Sequence, residues 1–396
     1  MTNVMKTQVG IIGAGPAGLL LAHLLQISGI DSIVIDGKTR EDIEGVVKAG
    51  IIENPAVEVL VESGVTTPEQ LAGVRHDGVE FHFDGHTHRF DFKSLINRSV
   101  WLYPQHETLI DLIAARVRAG SEPLFEHLAE DILDADTDHP RIVGKTVSGE
   151  PFEIQAQMVV GADGSGSIAR KAVNGSQFAG FFREYPFAWY GILCEAPPSS
   201  EELIYSRAEE GFVLISTRTD KIQRMYFQCD PELDASTVSD AEIWEKLQRG
   251  VTGTTLKQGP IFRKDVLRFR SFVAEHLNKG NVFLCGDAAH TVPPTGAKGM
   301  NLAFSDVLWL NEALREFFTT GSRALIEKYE ENALNRIWKA EHFSYWMTSM
   351  LHVAPDATEF DKHRQLGELY MLTESEYGNK LIAEGYTGWA YGASWK

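Results

Sequence analysis

The chain is 396 residues long, enough for one large domain or two to three intimate ones, and its 43% hydrophobic and 23% charged residues describe an ordinary globular balance. A formal charge of -18 disfavours a nucleic-acid partner, yet leaves room for a small anionic substrate, which responds to the field inside its pocket. Three scattered cysteines, Cys194, Cys229 and Cys285, form no CxxC pair, which argues against a disulfide framework and a thiolate metal site and fits a reducing compartment.

From the N-terminus, residues 8–12 read as a buried strand and residues 16–28 as a helix, with Gly29 as its C-terminal cap. A second strand over 32–35 ends in Asp36, which completes a βαβ opening. No signal-peptide layout precedes it, and the apolar stretch 19–25, interrupted by His23, is too short to span a bilayer. The expectation is a cytoplasmic protein with no membrane partner. Lys48 and Gly50 fall in a loop, and a helix follows over 55–63. Over 78–92, Val79, Phe81 and Phe83 alternate with Glu80, His82 and Asp84, the period of strands, with Gly85 at the turn. A helical period returns over 107–118, and a strand over 151–161 leads into Ala162, Asp163 and Gly164. Short runs rich in β-branched and aromatic residues between about 181 and 270 suggest an antiparallel sheet, a second layer over the first. Residues 281–285 form another buried strand ahead of Gly286 and Asp287; a helix starts near Gly299, and 322–350 and 364–384 are helical. The nucleotide-binding pieces are thus scattered, and the domains interleave.

Between the first strand and helix lie Gly13, Gly15 and Gly18. Gly13 permits the tight turn, Gly15 lets backbone approach a pyrophosphate, and Gly18 allows close helix-to-strand packing. The helix N-terminus offers unpaired N–H groups and a positive dipole end to phosphates. Asp36, 18 residues beyond Gly18, can accept both ribose hydroxyls. This motif alone does not separate FAD from NAD.

Gly161-Ala162-Asp163-Gly164 and Gly286-Asp287-Ala288-Ala289-His290 then follow in order, and with them the chain resembles the group A FAD-dependent aromatic hydroxylases. The resemblance implies an α/β fold: a Rossmann-like FAD-binding domain (1–75, 98–180 and 271–321) interleaved with a mixed or antiparallel-sheet substrate domain (76–97 and 181–270) and a helical C-terminal region (322–396). In that family the first element holds the ADP moiety. The middle one supports flavin and touches the reduced nicotinamide nucleotide, and the last aims its Asp at the ribityl and pyrophosphate portion. Read physically, Pro293-Pro294 stiffens the last segment, Gly296 and Gly299 let backbone come close to a planar ring, and the helix from Gly299 brings its dipole to the flavin carbonyl edge.

The resemblance is tightest to members acting on 4-hydroxybenzoate, from Lys6-Thr7-Gln8-Val9 through Trp338-Lys339-Ala340-Glu341 to Glu384-Gly385-Tyr386, and Thr291-Val292-Pro293-Pro294-Thr295-Gly296-Ala297-Lys298-Gly299 is its most specific stretch. It implies NAD(P)H-dependent hydroxylation at C3 through a C4a-hydroperoxyflavin, with O2 as co-substrate, and a homodimer with contacts from C-terminal helices. Carried over by position, Arg218 pairs with the benzoate carboxylate, assisted by Ser216 and Tyr226, a match for a guanidinium fork. Tyr205 meets the phenolic oxygen, Tyr386 stands behind it, His76 completes a proton relay to solvent, and the Pro294 carbonyl faces the phenolic end. Arg224 lies near the flavin and helps it shift, Asn301 contacts the pyrimidine end, and Lys48 and Gln105 join the FAD contacts. Arg170 and Arg270 serve the NAD(P)H donor. Val46 and Gly166 depart from the family pattern where an arginine and a histidine serve that donor, which leaves NADPH versus NADH open.

There is no HExxH, no GxSxG before a helix and no P-loop, so metallopeptidase, hydrolase and P-loop readings lack support. Two rivals stand: a hydroxylase of another para-substituted benzoate such as 4-aminobenzoate, and a non-catalytic flavin-binding protein.

Overall fold

The computed structural model describes residues 2–45, 50–72 and 75–396. β1 (Asn3–Ile12), α1 (Pro16–Ile27) and β2 (Ser32–Ile35) form the expected unit, with β1 and β2 parallel. The chain then leaves this sheet. β3 (Ile51–Glu53), β4 (Arg75–His76), the hairpin β5 (Gly78–Phe83) and β6 (His86–Asp91), and β7 (Val100–Leu102) follow. β7 pairs with β3 and β4 in a three-stranded sheet that was not expected, because strands of two or three residues carry no readable period.

After α2 (Gln105–Arg118) come the meander β8 (His127–Leu133) and β9 (Arg141–Thr146), then β10 (Pro151–Gly161), which lies parallel to β1 with Ile11 opposite Val160. Met158, Val159 and Val160 are all fully buried, as a strand covered on both faces requires. α3 (Ile168–Asn174) leads to β11 (Gly180–Glu195), β12 (Ile204–Ala208), β13 (Gly211–Thr217), β14 (Ile222–Cys229) and β15 (Ile261–Ala274). β16 (Asn278–Lys279) and β17 (Val282–Leu284) return to the first sheet, whose order is β16-β17-β10-β1-β2 with β9 and β8 attached to β10. β18 (His290–Thr291) precedes four helices: α4 (Gly299–Thr320), α5 (Ala324–Leu351), α6 (Glu359–Thr373) and α7 (Glu376–Thr387).

The second sheet has eight strands in the order β18-β15-β11-β14-β13-β12-β5-β6. Only β12 and β5 pair in parallel among these neighbours, so the sheet is mixed. Alternation along its strands sorts two faces. Tyr190, Ile192, Val213, Ile215, Met225 and Phe227 pack with Ile243, Trp244 and Leu247 of the helix Asp240–Arg249. Trp189, Tyr205, Phe212, Leu214 and Tyr226 face the opposite way, against Phe343 and Met347 of α5 and Tyr386 of α7. That second face carries the candidate site. Most of the apolar stretch in α5 is therefore internal: Phe343, Met347 and Met350 are buried, while Trp338 and Tyr345 are exposed. Among the described residues no helix is long and apolar enough to cross a membrane.

Candidate active site

The cradle at the end of β1 is built from backbone constraints. Gly13 has φ +107°, and a Cβ there would lie 2.3 Å from the Ala162 carbonyl oxygen; at Gly18 it would lie 2.0 Å from the Gly13 oxygen. No side chain fits either place. At Gly15 and Gly299, by contrast, a Cβ meets nothing within 4 Å. These two glycines stand at the N-termini of α1 and α4, neither of which has a side-chain cap, so their first N–H groups are open to an anionic ligand. The cradle thus fits a flavin dinucleotide. Asp36 accepts from the Ala14 and Lys38 backbone N–H groups, both at 2.9 Å, which ties the end of β2 to the glycine turn and leaves each oxygen a lone pair for ribose.

The two later signature segments are locked to each other by Arg170. Its side chain is buried, donates to the carbonyls of Ala288, Asp287, Ser165 and Gln177, and lies 4.3 Å over the Phe272 ring. Four of the five N–H bonds that a guanidinium offers are thus committed to backbone, which gives Arg170 a bracing place and not the donor-facing one expected. Arg270 is exposed on β15, and Gly166 is exposed at its turn. Asp163 caps α3, accepting from Ser167 Oγ at 2.6 Å and the Ile168 N–H at 2.8 Å. Asp287 sits half-buried in the turn Gly286–Ala288, where Gly286 has φ +61° and donates to Asp306 at 2.9 Å. The same Asp306 oxygen holds His290 Nε2 at 2.6 Å; burial alone would lower the His290 pKa, and this carboxylate reverses the shift.

On the second sheet, Tyr205, Leu214 and Tyr226 stand side by side across β12, β13 and β14. The Tyr205 and Tyr386 hydroxyls are 2.8 Å apart in full burial. Burial pushes the Tyr205 phenol up to about 12 and that of Tyr386 well above its ordinary value, so both are neutral near pH 7. Further along the same face of β13 lie Ser216 and, just past the strand, Arg218. The Arg218 Nη2 nitrogen is buried without a hydrogen-bond partner among the described residues, and burial lowers the guanidinium pKa to about 10. Ser216 donates its one hydroxyl proton to the Arg224 carbonyl at 2.8 Å, so helping a carboxylate requires it to turn. Arg224 is buried, 4.9 Å over the Tyr226 ring and 3.9 Å from Asp265.

Several expected site residues have other partners. His76 meets Glu202, with Nδ1 3.1 Å from Oε2, and no direct bond joins it to Tyr386 among the described residues. Asn301 accepts from the Glu53 N–H and donates to the Ile51 and Ala297 carbonyls, stitching β3 to the start of α4. The Pro294 carbonyl accepts from the Ala297 N–H at 3.0 Å and keeps a second lone pair. Gly296 packs on α5, its hypothetical Cβ 2.6 Å from Ser344 Oγ, so its smallness serves helix packing instead of approach to a ring. Gln105 opens α2. Lys48, with Val46, lies outside the described residues.

Two features escaped the sequence reading. Lys298 Nζ, fully buried, bonds Glu53 at 2.5 Å and the Tyr386 carbonyl at 3.0 Å, with burial depressing its pKa against the pull of Glu53. Gly191 of β11 leaves space for Tyr226, whose ring would lie 2.8 Å from a Cβ there. Buried charges so far apart in sequence leave no local signal; a lone glycine inside an apolar strand was the available hint for the second.

The profile of the FAD binding domain family matches residues 6–344. The p-hydroxybenzoate hydroxylase of Acinetobacter baylyi is 38% identical over 393 residues, 98% of this chain and 97% of its own. Among solved structures, the p-nitrophenol 4-monooxygenase of Pseudomonas putida aligns with a TM-score of 0.78 over 98% of this chain and 99% of its own, at 16% identity. The anhydrotetracycline hydroxylase of Streptomyces rimosus gives 0.73 over 97% and 76%, at 21% identity. At such identities the two structures speak for the fold alone.

Proposed function

The chain belongs to the FAD binding domain family and is an FAD-dependent aromatic-ring monooxygenase, and from that premise we propose that it hydroxylates 4-hydroxybenzoate at C3 to give 3,4-dihydroxybenzoate, with NADPH or NADH as electron donor. The observation that carries this reading is the Arg218 nitrogen buried without a partner. An unsatisfied buried guanidinium is costly, and a carboxylate ligand supplies the counter-charge and bidentate acceptor it lacks. Strand geometry supplies a ruler. Leu214, beside Tyr205, and Arg218 are four residues apart on one face, about 13 Å along the strand. That spacing suits an anion site and a phenol site at opposite ends of one small aromatic acid.

When bound, FAD accepts the donor's electrons and activates O2. The chain's own part is binding, orientation and proton control. Gly13, Gly15, Gly18 and Asp36 would hold the dinucleotide and the turn bearing Asp287 and the N-terminus of α4 at Gly299 would serve its flavin part, while Asn301 fixes β3 against that terminus. Arg218, aided by Tyr226 and a turned Ser216, holds the carboxylate. The neutral Tyr205–Tyr386 pair accepts the phenolic proton on one side and donates on the other, so the ring becomes electron-rich without a charged tyrosine. Exposed Arg270 is the remaining candidate for a visiting nucleotide. The same reading includes a homodimer, supported by exposed Phe360, Met371 and Tyr377 on α6 and α7 and tested by sedimentation.

Purified holoenzyme given 4-hydroxybenzoate, 4-aminobenzoate or benzoate, with NADH and NADPH in parallel, tests the proposal. The expected result is near-stoichiometric 3,4-dihydroxybenzoate from 4-hydroxybenzoate. Rapid nucleotide oxidation yielding only peroxide with that compound, and coupled product with 4-aminobenzoate, would overturn the substrate assignment.

A further inference from the structure

His76, which the family resemblance puts at the solvent end of the proton relay, has a charge partner of its own. Glu202 lies three residues before Tyr205, on the segment entering β12, and His76 lies two residues before β5; β12 and β5 are parallel neighbours, with Tyr205 opposite Phe81. The pair therefore closes the leading end of the same two strands that carry the phenol site. The two Glu202 oxygens are divided: Oε2 faces His76 Nδ1 at 3.1 Å, and Oε1 accepts from Arg89 Nε and Nη2 at 3.2 and 2.6 Å. Both side chains are largely sheltered, His76 at 15% and Glu202 at 10% exposure. Burial alone would raise the Glu202 pKa, and the contacts with His76 and Arg89 bring it below the ordinary carboxylate value, so the group is an anion near neutral pH.

A carboxylate on Nδ1 draws the ring proton to that nitrogen and leaves Nε2 as the base, the arrangement by which a carboxylate orients a working imidazole. We infer that Glu202 is a positioning residue of the proton path: it fixes the tautomer of His76, so that Nε2 receives the proton that Tyr386 passes toward solvent, and it balances the imidazolium formed. The charged groups around the pair are consistent with this division. Arg89 is shared with Asp91 of β6, Arg75 and Asp77 are paired with each other beside His76, and from α7 the buried Tyr386 feels the Glu202 charge. Arg89 holds the carboxylate in place without touching the imidazole.

The inference rests on the phenol-site reading, and its test separates the two. In a stopped-flow pH jump, absorbance follows phenol-to-phenolate conversion of bound 4-hydroxybenzoate in the holoenzyme. Glu202→Gln, whose amide can face either tautomer, is expected to slow that phase about tenfold and to lower product per NAD(P)H, with the Kd for 4-hydroxybenzoate within about twofold. Glu202→Asp should recover part of the rate. His76→Gln should be as slow as the double variant, because the two act as one unit. A merely structural Glu202 would lower Tm and leave the rate alone. If Tyr205→Phe slows the phase while E202Q and E202D do not, the inference fails and the phenol site stands. If Tyr205→Phe leaves it unchanged as well, the reading of the pocket fails. Should E202Q not fold, E202D and the His76→Gln cycle decide the matter by the same criterion.

Discussion

The nucleotide cradle and the substrate face treat a buried arginine in opposite ways. Arg170 sits among backbone carbonyls and is used up by four of them, whereas Arg218 keeps a buried nitrogen with no acceptor among the described residues. The first arrangement is complete in the folded chain and serves stability. The second leaves a demand that a ligand can satisfy, and under the proposed function it serves recognition at some expense in stability. The same contrast runs through their surroundings. The turn of the cradle is set by Gly13 and Gly18, whose neighbours forbid a side chain, whereas the substrate face is set mostly by side chains such as the Tyr205–Tyr386 pair.

The largest expected effect breaks the cradle. Arg170→Met should lower stability by about 3–5 kcal/mol, since several carbonyls lose a charged donor at once, and should reduce flavin retained per chain. Denaturant unfolding with flavin absorbance checks both. Arg218→Met should do the reverse: Kd for 4-hydroxybenzoate rises about 100-fold or more, with no loss of stability in the ligand-free protein. An Arg218 variant as unstable as the Arg170 variant would dissolve the contrast.

Acid sharpens it next. His352 is buried behind the substrate face, its Nε2 2.6 Å from Trp189 Nε1 and its ring stacked on Phe187, and burial lowers its pKa from 6.5 to about 3. The unfolded chain takes up a proton below pH 6.5 that the folded one refuses until near pH 3. This group's contribution is therefore intact above pH 6.5 and drains as pH falls through that window, by about 2 kcal/mol at pH 5. His352→Gln, which keeps an acceptor for Trp189, should flatten that slope in unfolding curves between pH 7 and 5. The smallest effect is Ser216→Ala. Its hydroxyl is already engaged by the Arg224 carbonyl, so KM should rise only a few-fold, about 1 kcal/mol or less.

How much of this was legible follows the same division. The cradle could be read from residues alone, because a turn such as that at Gly13 admits one residue type and fixes the spacing to Gly18. The meeting of Tyr205 with Tyr386, 181 residues apart, was available only through resemblance. Neither route foresaw Lys298 on Glu53, 245 residues apart, because burial of charge is decided by tertiary packing. Arg170 shows the cost of carrying a role by position: the residue is present, but its guanidinium is turned inward. Ser216 shows that a hydroxyl's direction is not written in its strand position.

The order of strands also governs how the chain must assemble. β10 lies between β1 and β17, and β17 is not synthesised until residues 282–284. β18, which ties the signature turn to β15 through Phe272–Thr291 and Val273–His290, comes later still. A growing chain on the ribosome therefore carries residues 159–161 of β10 without their β17 partner for more than a hundred residues of synthesis, and neither sheet has all its strands until nearly three quarters of the chain has been made. Cutting the protein at any single bond between β5 and β17 would leave both sheets missing strands. The interleaving ties completion of one sheet to completion of the other through long-range pairings, the kind that slow folding.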